Sequence, residues 1–212
     1  MKKLTKRTPI EDELLNAFAQ GKTPTDRDFD LLLPPGPRSH SRFHWTPVRV
    51  AMTIARFLAT SSDSRVLDIG SGCGKFVCIG ALTTPGHFYG VEHRPPLHQI
   101  AIDLSERLKL NRAHFTKGDA FSIDWNKFTA IYLFNPFGEN LWPIERIDGD
   151  KTLKVQQFCL FTKLAVQKLT DLPVGTRVAP YHGFGDQFPP TFRQIHSIDI
   201  ARGPIELWMK ES

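Results

Sequence analysis

Short apolar runs alternate with amphipathic segments along most of the chain. Runs rich in β-branched and aromatic residues predict strands at residues 65–69, 87–92, 113–117, 129–134 and 175–179. Apolar residues recurring at helical spacing predict helices at residues 46–59, 95–110 and 152–169. Strands and helices that alternate in this way indicate an α/β fold with a mainly parallel sheet covered on both faces.

The last part of the chain carries a different pattern. Residues 194–200 and 205–210 alternate in polarity and flank Arg202-Gly203-Pro204, a turn sequence. They predict an antiparallel hairpin, which extends the sheet to seven strands. In the helix over 152–169, we expect Leu153, Gln157, Leu160 and Leu164 to share one face, and Phe158 and Phe161 with the nearby leucines to belong to the core.

The first 45 residues read as an extension. A short helix is predicted at 11–20, and the proline-rich stretch 33–39 is interpreted as a linker, because prolines lack the amide proton that a helix interior needs. Thr46 is expected to cap the next helix, with Pro47 as its first residue. We therefore predict a helical extension and linker over 1–45 and the main α/β domain over 46–212.

Composition narrows the class of protein. The chain has 212 residues, 41% of them hydrophobic and 23% charged, which suits one globular domain. Its three cysteines form no CxxC pair, its start lacks the apolar region of a signal peptide, and no apolar run reaches the ~20 residues that cross a membrane. We expect a cytoplasmic protein without a membrane partner. The net charge of +5 comes from scattered residues, so it suits solubility as well as an acidic partner.

Residues 68–74, between a predicted strand and a predicted helix, form the most informative segment. Their sequence is Asp-Ile-Gly-Ser-Gly-Cys-Gly. A dinucleotide-binding GxGxxG pattern fails, because its third glycine would fall on Lys75 when counted from Gly70, or on Val77 when counted from Gly72.

A phosphate-binding P-loop fails as well. Phe76 follows Gly74-Lys75 where a hydroxyl residue is required, and Ile69 replaces the leading glycine. What remains is the pattern DxGxGxG, which resembles motif I of the class I S-adenosylmethionine-dependent methyltransferases. The resemblance implies a Rossmann-like fold, S-adenosyl-L-methionine as cofactor and methyltransferase activity. It also implies that the loop binds the aminoacyl part of the cofactor through Asp68, Gly70, Ser71, Gly72 and Gly74.

Two further positions fit the same family. Glu92 ends the second strand about 20 residues after the loop, resembles motif II, and is expected to accept both ribose hydroxyls. Asp119 follows the third strand, where the resemblance implies a contact with the adenine amino group. The backbone amide of Ala120 would then meet a ring nitrogen.

The end of the fourth strand suggests the chemistry. Asn135-Pro136-Phe137 resembles the Asn-Pro-Pro-aromatic motif IV of amino-methyltransferases, although one proline is missing, and is loosely similar to the Asn-Asn-Phe loop of Dot1-type lysine methyltransferases. The resemblance implies that Asn135 and the Pro136 carbonyl hold a target nitrogen, with Phe137 packed on it. We expect a protein amino group as acceptor. A nucleic acid, a small molecule or a cofactor-binding module without catalysis remain alternatives, and the oligomeric state stays open.

Three other segments have weaker signals. Residues 181–185 fit either the substrate mouth or a surface loop, and His44-Trp45 fits either a lid over the cofactor or simple packing. The pair His40 and His44 has helical ligand spacing, but the prolines around it argue against a metal site.

Overall fold

The computed structural model describes residues 7–135, 155–182, 188–200 and 203–212. The strands in these residues are β1 (Arg65–Ile69), β2 (His87–Glu92), β3 (Ala113–Lys117), β4 (Ala130–Phe134), β5 (Arg177–Tyr181), β6 (Phe192–Ile200) and β7 (Gly203–Lys210). They form one seven-stranded sheet in the order β3-β2-β1-β4-β5-β7-β6. Strands β1 to β5 are parallel, and β7 lies antiparallel between β5 and β6. The predicted mostly parallel, Rossmann-like sheet with its terminal hairpin is confirmed.

The helices cover the two faces of the sheet unequally. They are α1 (Pro9–Ala19), α2 (Asp26–Asp30), α3 (Pro35–Ser39), α4 (Ser41–His44), α5 (Val48–Leu58), α6 (Lys75–Thr83), α7 (Pro95–Leu108) and α8 (Val155–Thr170). One hydrophobic cluster joins α5, α6 and α7 to the sheet, and a second joins α8 to the opposite face. Between β3 and β4 the chain forms two 3-10 turns, Ala120–Ser122 and Trp125–Lys127, and no α-helix. None of the described helices has the length and apolarity required to cross a lipid bilayer.

The N-terminal extension packs into the same core as the sheet. Leu14, Phe18, Phe29 and Leu33 are buried in the cluster that α5 and α6 share, and α1 contacts α6. The proline-rich stretch, predicted as a linker, contains the helical turn α3. This is possible because Pro35 and Pro37 occupy its first turn, where an amide proton has no intrahelical partner.

The start of α5 differs from the prediction. Thr46 is not its N-cap: the helix begins at Val48, with Pro47 in the cap position and no side-chain cap from that residue. The Thr46 hydroxyl instead lies 2.7 Å from the phenol oxygen of Tyr132 in the core. The Val48 amide donates to Asp26 Oδ1 at 2.8 Å, so a residue of α2 caps α5. Capping by a distant residue leaves no local sequence signal.

Helix α8 also faces the core differently from the prediction. Leu160 and Leu164 are 53% and 39% exposed, whereas Thr162, Ala165 and Leu169 are buried. Phe158 and Phe161 pack at the edge of this buried face, as expected for core aromatics. The interpretation of the nearby leucines as core is therefore wrong for these two. Leu153 lies outside the described residues.

Two histidines pair on adjacent strands at the edge of the sheet. His87 Nδ1 lies 3.2 Å from His114 Nε2, and the two rings are stacked. Tyr89 stacks on His114 with 4.6 Å between ring centroids. Burial lowers the pKa of His114, and the nearby His87 and Arg65 lower it further.

Candidate cofactor and acceptor site

The predicted site residues follow the carboxyl ends of four neighbouring strands. Pairing of Ile69 with Val91 and with Leu133 aligns the ends of β1, β2 and β4, and Glu92 pairs with Lys117 at the end of β3. The carboxyl edge of an open α/β sheet is where such folds bind ligands. The structure therefore places the glycine loop, Glu92, Asp119 and Asn135 along one edge of the sheet.

The glycine loop has a backbone that only glycine adopts easily. Gly70, Gly72 and Gly74 have φ of 75°, 55° and 80°, in the left-handed region. The amides of Gly70 and Ser71 both donate to the carbonyl oxygen of Val91, at 3.0 and 2.9 Å. These bonds fix the loop against the end of β2, and Gly74 caps α6.

The three glycines meet different surroundings. A Cβ on Gly72 would lie 2.5 Å from the Trp45 ring, and one on Gly74 would lie 2.8 Å from Phe115 and Ala101. A Cβ on Gly70 would meet no atom within 4 Å. Gly72 and Gly74 therefore serve internal packing, whereas Gly70 faces open space that a ligand can approach.

Glu92 connects the loop to the end of β2. Its side chain is 2% exposed, its Oε2 accepts from the Gly72 amide at 2.9 Å, and its Oε1 accepts from the Arg94 amide at 2.9 Å. The Arg94 guanidinium lies 3.6 Å from Oε1. Oε1 also lies 3.3 Å from His93 Nδ1. A carboxylate oxygen can accept a second hydrogen bond, so Oε2, which accepts from Gly72, retains capacity for a ribose hydroxyl.

Asp68 lies buried in β1, next to the loop. It is 4% exposed. Burial raises the pKa of its carboxyl well above the usual value of 3.8, and the Glu92 carboxylate raises it further. Asp68 is therefore a poorer partner for the ammonium group of the cofactor than an exposed aspartate would be. Its burial better fits a role in supporting the glycine loop.

The remaining predicted cofactor residues differ in exposure. Ser71 is buried, and its hydroxyl has no hydrogen-bond partner among the described residues. Asp119 is exposed and caps the first 3-10 turn, its Oδ1 accepting from the Phe121 amide at 3.0 Å. Ala120 begins that turn and is half-buried.

Asn135 stands directly after β4 with φ of 35°, an unusual value for a residue other than glycine. Its amide donates to the carbonyl oxygen of Tyr181 at 3.0 Å, which fixes its backbone to β5. Pro136 and Phe137, predicted to complete the acceptor site, lie outside the described residues.

Aromatic side chains from β4 and β5 gather beside Asn135. The Phe134 ring stacks on that of Tyr181 at 5.2 Å, and the His182 ring lies 4.2 Å from Tyr181. Tyr181 is buried and packs within this aromatic group, whereas His182 is exposed. Residues 183–185 of the predicted substrate mouth lie outside the described residues.

A buried ion cluster behind the loop was missed by sequence reasoning. Lys75, the first residue of α6, is 2% exposed, and its Nζ lies 2.9 Å from Asp26 Oδ1 and 2.8 Å from Asp30 Oδ1. Both aspartates belong to α2 of the extension. The partners are 45 and 49 residues away in sequence, so no local pattern could reveal them.

Comparison with known proteins gives structural matches only. No protein-family model and no curated protein matches the sequence. An RNA methyltransferase from Salinibacter ruber, solved with S-adenosyl-L-homocysteine, is 20% identical; the match covers 76% of this chain and 90% of that one, with a TM-score of 0.54. TrmN from Thermus thermophilus is 19% identical over 83% of this chain and 52% of that one, with a TM-score of 0.58. The chain has the fold of the class I S-adenosylmethionine-dependent methyltransferases.

Proposed function

We propose that this protein is an S-adenosylmethionine-dependent methyltransferase that modifies a nitrogen atom. The observation that carries the proposal is the contact between the glycine loop after β1 and the carboxylate at the end of β2, where Gly72 donates to Glu92. This contact joins the glycine loop to a carboxylate that can accept hydrogen bonds from ribose hydroxyls, at the carboxyl edge of the sheet.

The residues at this edge fit the cofactor. Open space above Gly70 leaves room for an aminoacyl chain to approach the loop backbone. Glu92 would hold the ribose hydroxyls, and Asp119, exposed beyond β3, would receive the adenine amino group. When bound, the cofactor supplies a methyl group on a sulfonium, which is already activated for displacement.

The chain itself contributes orientation more than acid–base chemistry. Holding donor and acceptor in line can supply ~7–11 kcal/mol of the barrier. The Asn135 side chain offers a carbonyl oxygen to an N–H₂ group, and its backbone is fixed through Tyr181. We propose that Asn135, Pro136 and Phe137 hold and pack against the acceptor nitrogen.

We favour a protein amino group as acceptor. A lysine amine has an ordinary pKa of ~10.4 and must lose its proton before transfer. Apolar aromatic surroundings favour that loss, because they disfavour the charged form of the amine. Phe134 and Tyr181 provide such a surround next to Asn135. One structural neighbour is an RNA methyltransferase, so nucleic acid is the main alternative that an assay must resolve.

Calorimetry tests the cofactor. S-adenosylhomocysteine should bind, while NADH and ATP should not bind comparably. Tight NADH binding without an S-adenosylhomocysteine signal would show that the proposal is wrong.

Labelled-methyl transfer into a cell lysate tests the reaction and the acceptor. Label on protein should survive nuclease, disappear with protease, and appear as a methylated side-chain nitrogen after hydrolysis. Nuclease-sensitive label, or label only in small metabolites, would refute the protein acceptor but keep the methyltransferase. Cofactor binding with no transfer would indicate a module that acts through a partner.

We also propose a reducing compartment such as the cytoplasm. Cys73, Cys78 and Cys159 are all free thiols. Burial raises the pKa of Cys73 to about 12, so this loop thiol is protonated and unreactive at neutral pH.

A further inference from the structure

A pocket of about 540 Å³ lies between the N-terminal extension and the start of α7. Pro37 and Trp45 line it from the extension, and Pro95, Leu97 and Ile100 line it from α7. Small-molecule sites typically measure ~300–1,000 Å³ and are mainly apolar. The residues proposed for the cofactor and for the acceptor are not among its lining residues. The pocket adjoins that site, because Trp45 packs on Gly72 and Arg94 contacts Glu92.

Hydrogen bonds fix the extension side of this pocket. The Trp45 indole N–H donates to the Pro37 carbonyl oxygen at 2.7 Å, and the Arg38 guanidinium donates to the carbonyl oxygens of Leu31 and Leu33 at 3.0 and 2.8 Å. On its other side the Trp45 ring packs against Gly72. The wall is therefore formed before any ligand arrives, which lowers the entropic cost of binding.

Arg94 is the lining residue that carries a permanent charge. His40 and His93 line the pocket as well and add ring nitrogens, and no carboxylate is among the lining residues. Glu92 is adjacent in sequence, but its side chain is 2% exposed and accepts from the Gly72 and Arg94 amides. A ligand in the pocket would meet flat proline and indole surfaces with the Arg94 guanidinium beside them, which favours an aromatic ring that carries an anionic group.

We propose that this pocket is a second small-molecule site, which takes a planar aromatic anion. His93 and Arg94 line the pocket and also contact Glu92, with His93 Nδ1 3.3 Å and Arg94 Nη1 3.6 Å from Oε1. The pocket therefore lies next to the carboxylate that is proposed to hold the ribose, and on that proposed function we expect ligand and cofactor to bind at the same time. The site itself does not depend on methyl transfer.

The test uses the fluorescent aromatic sulfonate 1-anilinonaphthalene-8-sulfonate as probe. It should bind the folded protein with one-to-one stoichiometry, and at least fivefold more tightly than N-phenyl-1-naphthylamine, which has the same rings without the sulfonate. Equal affinity for the two probes, or several sulfonate molecules per chain, would overturn the proposal.

Two variants locate the probe. Ile100→Trp fills the pocket and should weaken the sulfonate at least tenfold, whereas Val174→Trp, at a position 68% exposed and outside the pocket lining, should leave affinity unchanged. Ile100→Glu adds a carboxylate and should weaken the sulfonate more than the neutral probe. A general packing defect in this second variant would weaken both probes equally, whereas a change in the charge of the pocket would weaken mainly the sulfonate. An unchanged probe affinity in Ile100→Trp would place the probe elsewhere.

S-adenosylhomocysteine separates this site from the proposed function. Saturating S-adenosylhomocysteine should leave the sulfonate bound, with less than a threefold change in affinity. Competitive displacement would assign the pocket to the cofactor and overturn the second site. Failure of S-adenosylhomocysteine to bind at all would refute the cofactor proposal, while the probe and its variants would still test the pocket.

Discussion

Glu92 Oε2 accepts a hydrogen bond from the Gly72 amide at 2.9 Å, across 20 residues of sequence. The carboxylate therefore helps to set the conformation of the glycine loop before any ligand is present. Glu92→Ala should weaken S-adenosylhomocysteine binding by about 1–3 kcal/mol, since it removes hydrogen bonds to a charged acceptor and releases the loop. Calorimetry measures the loss, and the exposed residue Glu13→Ala provides a control. Unchanged affinity in Glu92→Ala would remove Glu92 from the cofactor site.

Gly70 and Gly72 should respond differently to the same substitution. Gly70→Ala has open space around the new Cβ, so its effect on stability should be limited to the backbone strain of a positive φ, about 1–3 kcal/mol. The methyl group would stand in the space proposed for the cofactor, so S-adenosylhomocysteine binding should fall at least tenfold. Normal affinity in this variant would show that the ligand does not pass over Gly70.

Gly72→Ala instead places its Cβ 2.5 Å from Trp45. The free energy of unfolding should fall by more than in Gly70→Ala, because steric overlap adds to the backbone strain. The double variant Gly72→Ala, Trp45→Leu should recover part of that loss relative to the sum of the single variants. Chemical denaturation of the four proteins measures this coupling. Strict additivity would contradict the contact.

Asn135 tests the chemistry separately from binding. Asn135→Gly removes the side chain at a position whose φ of 35° suits glycine, whereas Asn135→Asp keeps an oxygen that can accept from an N–H₂ group. Asn135→Gly should reduce turnover at least tenfold, equivalent to ~1.4 kcal/mol, and Asn135→Asp should lose less. The affinity for S-adenosylhomocysteine should stay within about twofold, since Asn135 is proposed to hold the acceptor. Full activity in Asn135→Gly would remove this residue from the site.

The buried Lys75 cluster predicts a large effect on stability. Lys75→Met leaves Asp26 and Asp30 without their cation, and breaking a buried pair typically costs about 3–5 kcal/mol. Because Asp26 is 46% exposed, we expect the lower end of that range in urea denaturation. The exposed pair of Arg7 and Asp12, 3.8 Å apart, supplies a contrast: Arg7→Ala should change stability by less than about 1 kcal/mol.

Asp68 predicts a dependence of stability on pH. The pKa of its carboxyl is raised in the folded state, so its contribution to stability is complete below the ordinary value of 3.8 and is lost as the pH rises through the raised pKa. The asparagine in Asp68→Asn cannot titrate. The stability of this variant relative to wild type should therefore increase with pH between 3.8 and the raised pKa of Asp68. Urea denaturation at a series of pH values measures the difference.

Asp28 supplies a control of opposite sign for that experiment. Hydrogen bonds from Thr25 lower the pKa of its carboxyl. Its contribution is therefore present above 3.8 and lost as the pH falls through the lowered pKa. Asp28→Asn should therefore be less stable than wild type at pH values above 3.8, and this difference should disappear as the pH falls through the lowered pKa. A difference between Asp68→Asn and wild type that stays constant with pH would contradict the raised pKa of Asp68.

Most of the sheet could be predicted from the sequence because its strands carry local signals. The bounds of β1, β2 and β3 agree with the apolar runs and the turn residues around them. The strand predicted at 175–179 begins two residues later, at Arg177. Gly175 and Thr176 belong to the turn, where the Thr176 hydroxyl donates to the Pro173 carbonyl oxygen.

The face of α8 shows where periodicity alone was insufficient. Residues 153, 157, 160 and 164 and residues 158, 161, 165 and 169 both follow helical spacing, so two faces competed. The second set is apolar throughout, whereas the first contains Gln157. That difference was the available signal, and the buried face follows it.

The extension could be recognised but not positioned. Contacts of Lys75 with Asp30 and of Val48 with Asp26 join residues that are distant in sequence, so no local pattern predicts them. The same reason explains why Trp45 could not be assigned: its place on Gly72 depends on the path of the extension.

The histidine pair at the edge of the sheet gives strand β3 a proton-dependent attachment. The bond between His87 Nδ1 and His114 Nε2 requires one nitrogen to carry a proton and the other to lack it. The lowered pKa of His114 means that this contribution is complete above the ordinary value of 6.5 and is lost as the pH falls through the lowered value. We therefore expect acid to weaken the attachment of β3 to β2. Because β3 leads directly to Asp119, the effect would reach the adenine end of the proposed cofactor site.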